Sequence, residues 1–352
     1  MINLLKNSDY RKVSNLIKNT NHELFIEAVI TENVPGEIYV DNVTDPLSTL
    51  IITPISNVVA GNPNNPLFNA EIKEKLNFYD TVICDTEEWE RKIHEIHCNV
   101  AIKKYRRSYY QFDKLLFENF SENLEEQYTL EYVYSDKLDE LQYENSEEIK
   151  DWFVFNNMDD VDDYCLGVYI RKGNKIVCWC LVDCIVGDRI EIGINTDKDF
   201  RRRGLGTITL AATVNASMNK GVKEIGWHCV DTNVGSITIA ERVGFKKLKE
   251  YSCFTPYPPI ENVTDLNNEQ WSDWALHYEE MNKMEPKYYG QAARCWGLSN
   301  NIDKAMLNIK YLAETEPNSF NDNLLSFEGF ASFQEMEEWK TFIKTLRENT
   351  ER

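Results

Sequence analysis

Residues 189–251 read RIEIGINTDKDFRRRGLGTITLAATVNASMNKGVKEIGWHCVDTNVGSITIAERVGFKKLKEY. The pattern is strand, tight basic turn, long helix, strand, short helix, strand. Alternation over Arg189–Asn195 marks the first strand, and Arg201-Arg202-Arg203-Gly204-Leu205-Gly206 is an R-x-x-G-x-G turn running straight into Thr207. From Thr207 to about Asn219 the apolar residues Ile208, Ala211, Ala212 and Val214 fall on a helical period, and Gly221 ends the helix. Ile225–Val230 then reads as a strand, Asn233–Val243 as a helix and Lys247–Phe254 as a strand. A glycine-rich turn at a helix start lets backbone N–H groups approach an anion, and the positive helix end favours one. Taken alone, such a turn is also an ordinary strand-to-helix connection with solvated arginines.

Working upstream, Cys165–Arg171, Ile176–Cys184 and Arg189–Asn195 form a meander turned at Lys172-Gly173-Asn174 and Val186-Gly187-Asp188. Thr129–Tyr134 alternates as a strand, Ser135-Asp136 caps the next helix, and helical segments run through Ile149–Phe155. The acidic run Asp159–Asp163 carries metal-ligand oxygens without the spacing of a calcium loop, and reads as solvated.

Residues 1–125 precede this region. An amphipathic helix opens at Ser8-Asp9-Tyr10-Arg11 with Val13, Leu16 and Ile17 on one face. Strands are predicted at Gly36–Asp41, Ser48–Thr53 and Val58–Ala60, a helix at Phe68–Leu76, a strand at Thr81–Cys84, and a helix capped at Asp85–Glu88 running to His97. The mixed basic and aromatic run Lys103–Tyr110 could stack on single-stranded nucleic acid, but reads better as an exposed strand at a domain edge. Downstream, Pro256-Tyr257-Pro258-Pro259 breaks the chain. Helices then follow at Glu269–Met281, Lys287–Gly297, Ile302–Glu314 and Phe333–Thr345.

A formal net charge of −20 over 352 residues argues against a general role on nucleic acid, whose phosphates need a basic face. The acidity serves solubility or draws small cationic partners such as amines. No apolar run of ~18 residues and no leader pattern occur, so neither a membrane span nor export is expected, and the setting reads as cytoplasmic. Nine cysteines at no framework spacing fit reduced, buried thiols. Cys178, Cys180 and Cys184 would share one buried strand face, and His94-Glu95-Ile96-His97-Cys98 lacks the helical zinc spacing, so no metal is expected.

The turn at 201–206 and the later Trp227-His228-Cys229-(x)3-Asn233-(x)2-Ser236, closing at Gly244-Phe245, together resemble the GNAT superfamily of acetyl-CoA-dependent N-acetyltransferases. The resemblance implies an α/β (α+β) fold, a mixed, mostly antiparallel sheet flanked by helices. A degenerate GNAT-like half precedes it, lacking the glycine turn, and an all-helical extension follows. The expected domains are 1–125, degenerate GNAT-like; 126–258, the acetyltransferase; and 265–352, helical. In the last, Tyr289, Ala293, Trp296, Ala305, Ile309 and Pro317 resemble one tetratricopeptide-type hairpin, which needs a neighbour to bury its core. Residues 1–255, with Glu37–Asp41, Trp89, Trp227 and Cys229, look like the bacterial subgroup that includes the zwittermicin-resistance acetyltransferases.

By the resemblance, the backbone of Ile194, Asn195 and Thr196 pairs with the pantetheine arm of acetyl-CoA. Amides of Arg202, Arg203, Gly204, Leu205, Gly206 and Thr207 wrap its pyrophosphate, and Arg201, Arg202 or Arg203 reaches the 3′-phosphate. Asn233 bonds the pantetheine and Ser236 sits near the thiol. Glu191 and His228 match two places where members keep a general base, with water relay as the alternative. The tyrosine that many members carry seven residues after the asparagine is here Ala240, which leaves protonation of the departing thiolate open. The implied activity is acetyl transfer to a primary amine of a small molecule in a ternary complex. Acetylation of protein or peptide amines, with the helices recruiting the target, is one alternative; a non-catalytic coenzyme A sensor is another. The C-terminal helices are also expected to offer a contact for a second copy or a peptide.

Overall fold

A computed structural model describes residues 2–18, 20–76, 81–97, 101–156, 165–260, 262–283 and 285–350. The chain divides into two compact units, one of residues 1–96 with 104–254 and one of residues 97–103 with 255–352.

The first unit begins with β1 (Asn3–Leu4) and a 3-10 turn over Asn7–Val13. The sequence predicts an α-helix where that turn stands; Val13 and Ile17 are nevertheless buried as its apolar face requires. Next comes α1 (Glu23–Ile30), whose pattern ELFIEAVI is apolar almost all round, so it is a core helix and not a surface one. Periodicity does not reveal it, because the continuous apolar run hides the helical repeat. The β-branched runs β2 (Glu37–Val40), β3 (Ser48–Ile52) and β4 (Asn57–Gly61) form a meander after it. Asn65 Oδ1 accepts from Phe68 N at 3.2 Å to start α2 (Pro66–Lys75), with Pro66 in the first turn where its missing N–H costs nothing. β5 (Val82–Cys84), α3 (Glu87–Ile96) and β6 (Lys103–Phe112) complete this half.

The second half repeats the order. It comprises β7 (Thr129–Tyr134), α4 (Ser146–Asn156), β8 (Cys165–Lys172), β9 (Lys175–Val186), β10 (Arg189–Thr196), α5 (Leu205–Asn219), β11 (Glu224–Val230), α6 (Val234–Val243) and β12 (Phe245–Thr255). The acidic run expected at Asp159–Asp163 lies outside the described residues.

All twelve strands form one sheet in the order β1-β2-β3-β4-β5-β12-β6-β11-β10-β9-β8-β7. Two neighbouring pairs are parallel, β4 with β5 and β10 with β11. The halves exchange their last strands: β12 pairs antiparallel with β5 of the first half, and β6 pairs antiparallel with β11 of the second. Lys103–Tyr110 is therefore an interior strand, where an exposed edge was expected. Ser108 and Tyr110 are buried, and Arg107 is enclosed among Tyr105, Tyr251 and Cys253. Net charge said nothing about which strand would be captured by the other half.

One irregularity sets up the site. In β9, Cys184 pairs with Glu191 but Val182 already pairs with Ile192, so Asp183 is an extra residue. The bulge reverses the facing of the residues beyond it. Cys178 and Cys180 lie on the α5 side, where Thr209 and Thr213 meet them. Cys184, expected on the same face, points the other way with Glu191 and packs among α1 residues.

In the second unit, α7 (Asn268–Asn282), α8 (Tyr289–Leu298) and α9 (Ile302–Thr315) pack successively, followed by α10 (Asp322–Leu325) and α11 (Glu337–Thr350). Asn267 and Gln270 form a capping box that starts α7. Ala293, Trp296, Ala305 and Ile309 are buried at its centre. Among the described residues no helix is long and apolar enough to cross a membrane.

Candidate active site

The site grows from the way β10 and β11 part. They share three parallel pairings, Arg189 with Glu224, Ile190 with Ile225 and Glu191 with Gly226, and then diverge. Beyond Glu191, β10 stays paired with β9, and β11 with β6. The β10 edge over Ile192–Thr196 thus faces a notch whose vertex is Glu191. Ile194, Asn195 and Thr196, expected to pair with an extended ligand, lie on that edge, and unpaired edge backbone is suited to such pairing. Asn195 is steadied by Glu148, whose Oε2 also accepts from Trp179 Nε1; both distances are 3.0 Å.

At the mouth of the notch, Gly204 (φ 77°) is the residue before α5, and Arg202 (φ 61°) adopts the same left-handed region. Gly204 pays no Cβ penalty for this conformation, and space around it is open. The first amides of α5, from Leu205, Gly206 and Thr207, have no intrahelical acceptors and point outward. Gly206 serves packing as well: a Cβ there would lie 2.9 Å from Ile239, so glycine lets α5 and α6 close together. The arginines behave differently. Arg201 donates to Thr196 O (2.9 Å), bracing the turn against β10, and Arg203 donates to Asp199 O (3.0 Å) and packs over Phe200. Arg202 is exposed. Across the notch, Asn233 Oδ1 accepts from Ser236 N (2.9 Å), capping α6 and leaving the amide NH2 available; Ser236 Oγ accepts from Trp227 Nε1 (3.1 Å). Ala240 is fully buried on α6 and brings no proton donor. The residues gathered here suit a pyrophosphate followed by an extended arm: orphan amides, a dipole end and an open strand edge.

On the other side of the vertex lies a cavity of about 100 Å³ between the N-terminus of α1 and strands β6, β10, β11 and β12. The structure brings both candidate bases together at its floor, Glu191 Oε1 lying 3.2 Å from His228 Nε2, with side chains 6% and 7% exposed. Gly226 permits this: a Cβ there would come within 3.0 Å of both Glu191 Cγ and Tyr109 Cε2. Several residues that sequence reasoning did not single out complete the group. His22, in the left-handed region (φ 62°) before α1, stacks on His228 with ring centroids 4.1 Å apart. Its Nε2 contacts the hydroxyl of Tyr251, which in turn lies 2.8 Å from His228 Nδ1. The Arg107 guanidinium lies close by and acts on the same hydroxyl electrostatically. The signal for His22 was a histidine at a helix start; only the exchanged strands reveal its partners.

Burial pushes the Glu191 carboxyl above the ordinary range, partly offset by His22, Arg107 and Lys249. Burial also holds His22 and His228 well below the usual histidine value, with Arg107 and Lys249 adding to it. The bulge residue Asp183 is likewise pushed well up by burial; its Oδ1 is enclosed without a partner among the described residues, beside Gly193.

Donor atoms of His22, Glu191 and His228 lie within 4.8 Å of one another, which invites a metal. Ring geometry argues against one. An imidazole binds metal through a lone pair in its ring plane, and these two planes run side by side at 20°. No point near both nitrogens lies in both planes. Tyr251 links the three through hydrogen bonds to both histidines, and His228 in turn meets Glu191.

The GNAT acetyltransferase family model matches residues 14–254. Over 239 residues the chain is 22% identical to the uncharacterized N-acetyltransferase YdfB of Bacillus subtilis (strain 168), covering 65% of this chain and 89% of that one. Among solved structures, the GCN5-related N-acetyltransferase-like protein from Streptococcus suis 89/1591 superposes with a TM-score of 0.54 at 21% identity, over 70% of this chain and 98% of that one. A GCN5-related N-acetyltransferase from Sphaerobacter thermophilus gives 0.49 at 12% identity, over 74% and 97%. With the parted strands, the glycine turn and a family match over most of its length, this chain belongs to the GNAT acetyltransferases.

Proposed function

We propose that the protein transfers the acetyl group of acetyl-CoA to a primary amine of a small molecule, by direct attack in a ternary complex. The observation that carries this reading is the vertex at Glu191, with the notch and glycine turn on one side and the partly open cavity on the other. Acetyl-CoA, when bound, supplies the activated acetyl group. The open edge of β10 and the first amides of α5 hold it, with Asn233 opposite. Glu191 takes the proton of the attacking amine, and its raised carboxyl makes it a better match for that task near neutrality. Glu23 and Glu224 line the cavity together with Arg189 and Lys249, so its wall offers groups of both signs to a polar acceptor.

The acceptor in this reading is a small amine, which the cavity of about 100 Å³ can admit. The looser likeness to the subgroup containing zwittermicin-resistance acetyltransferases points the same way. In this reading the first half, residues 1–125, serves to wall the acceptor cavity, and the tetratricopeptide-like hairpin of the last segment is an accessory surface for a second copy or a peptide. The testing experiment is a thiol-release assay over a panel of small amines and lysine peptides. Turnover on small amines that falls in Glu191→Gln by about 10²–10⁴-fold, while acetyl-CoA still binds, supports the reading. Turnover on peptides alone favours the protein-modifying alternative, and binding without any turnover favours a sensor.

A further inference from the structure

The buried group around Tyr251 has a direction, and two observations fix it. The first is His22 Nδ1, enclosed and without a hydrogen-bond partner among the described residues. An orphaned buried N–H is costlier and rarer than an under-used acceptor. His22, kept neutral by burial, therefore carries its single hydrogen on Nε2, the nitrogen against the Tyr251 hydroxyl. The second is the Tyr251 hydroxyl itself, which has one hydrogen to give and two histidine partners. Accepting from His22, it sends its own hydrogen to the remaining partner, His228 Nδ1, at 2.8 Å. His228, also neutral, then carries its hydrogen on Nε2 and donates it to Glu191 Oε1 at 3.2 Å.

We infer that Tyr251, oriented by His22, is a positioning residue that locks His228 in the Nε2–H tautomer and so keeps a donor on the Glu191 carboxylate. This rests on Glu191 being the proton acceptor of the reaction. The chain runs His22 to Tyr251 to His228 to Glu191 and touches the reacting amine at its last member alone. Reversing it would place a hydrogen on His22 Nδ1, where nothing accepts it, and would require Glu191 to be the donor. The reverse direction is thus open only to a protonated Glu191, whereas the forward one leaves Oε1 an acceptor. Other groups around Glu191 act on its charge without supplying that hydrogen: Lys249 from β12 favours the anion, Asp183 from β9 opposes it, and Tyr109 from β6 is pushed up to about 12 and stays neutral. The arrangement also explains why the first half of the chain is retained beside an active site built on the second. It supplies His22 and, through the exchanged strand β6, Arg107.

The test needs no acceptor substrate, so its outcome is separate from that of the amine panel. In the full chain with ¹⁵N-labelled histidine and ¹³C-labelled glutamate, NMR reads the histidine tautomers and the Glu191 carboxyl titration, the latter assigned by its loss in Glu191→Gln. Expected are neutral Nε2–H forms for both His22 and His228 at pH 7. In Tyr251→Phe, His228 loses its single tautomer and the Glu191 titration moves up by about one pH unit, the loss of one charge-assisted donor. His22→Asn gives a smaller shift in the same direction. An Nδ1–H or protonated His228 in the unaltered protein overturns the inference even if Tyr251→Phe fails to fold. So does a folded Tyr251→Phe in which neither tautomer nor titration changes.

Discussion

Two notches of the same origin stand in one sheet. In the second half, β10 and β11 pair over three residues and part at Glu191; in the first, β4 and β5 pair over Asn57–Val82, Val58–Ile83 and Val59–Cys84, and β5 then ends while β4 runs on to Gly61. Their fates differ. Past Val59 the first notch is closed by side chains: Trp89 Nε1 donates to Gly61 O at 2.9 Å, Asp85 Oδ2 accepts from Gly61 N at 3.0 Å, and the Trp89 ring is fully buried. The strand-edge groups that a ligand would use are taken by the protein itself. The second notch has no such plug among the described residues, and the turn before α5 has glycines where the stretch before α2 has Asn62-Pro63-Asn64-Asn65. A parallel pair that parts is thus only a frame. Whether it binds depends on what occupies the opened edge.

The largest expected effect comes from removing the plug. Trp89→Ala deletes a fully buried indole and leaves Gly61 O unpaired, and should cost about 3–5 kcal/mol in urea unfolding. Acetyl-CoA affinity should stay within twofold, since the other notch is intact; a large loss of affinity would break the division of roles. Next is the vertex itself. In Gly226→Ala the new Cβ presses on Glu191 and Tyr109, an overpacking worth about 1–3 kcal/mol. Amine turnover should fall by tenfold or more with acetyl-CoA binding unchanged; unaltered turnover would mean that Glu191 has no required position.

The smallest effect is with pH. His22 and His228 are held below the ordinary histidine value, so as pH falls through about 6.5 the unfolded chain takes up protons that the folded chain refuses. Their contribution is fully present above that pH and is lost as pH falls toward their folded values. Glu191 has the opposite sign: its raised carboxyl favours the fold at low pH, and that contribution is lost as pH rises through its folded value. Urea midpoints at pH 7.5 and 5.5 should therefore drop on acidification, and drop less in His22→Asn. An equal drop would mean that His22 titrates in the folded protein as it does in water.

Local periodicity made the second half legible. The meander, α5, β11, α6 and β12 begin and end within two residues of their expected places, because alternation, the glycine turn and the Asn233 cap are all short-range signals. The hidden features are long-range or break the period. α1 is apolar on nearly every side, so no stripe marks it. The bulge at Asp183 redirects Cys184 and aligns Glu191 with the cavity, and no local residue announces it. The exchange of β6 and β12 brings Arg107 beside Tyr251, although the two are far apart in sequence. Glu191 and His228 could each be named as a base from position in a motif. That they are one hydrogen-bonded pair, governed by a histidine near the start of the chain, required the fold.

If one notch holds acetyl-CoA and the other is filled by Trp89 and Asp85, isothermal titration should find one acetyl-CoA per chain. That binding should be abolished by Gly204→Asp, which puts a side chain and a negative charge where the pyrophosphate would lie. Two equivalents per chain, or one equivalent that survives Gly204→Asp, would contradict this reading.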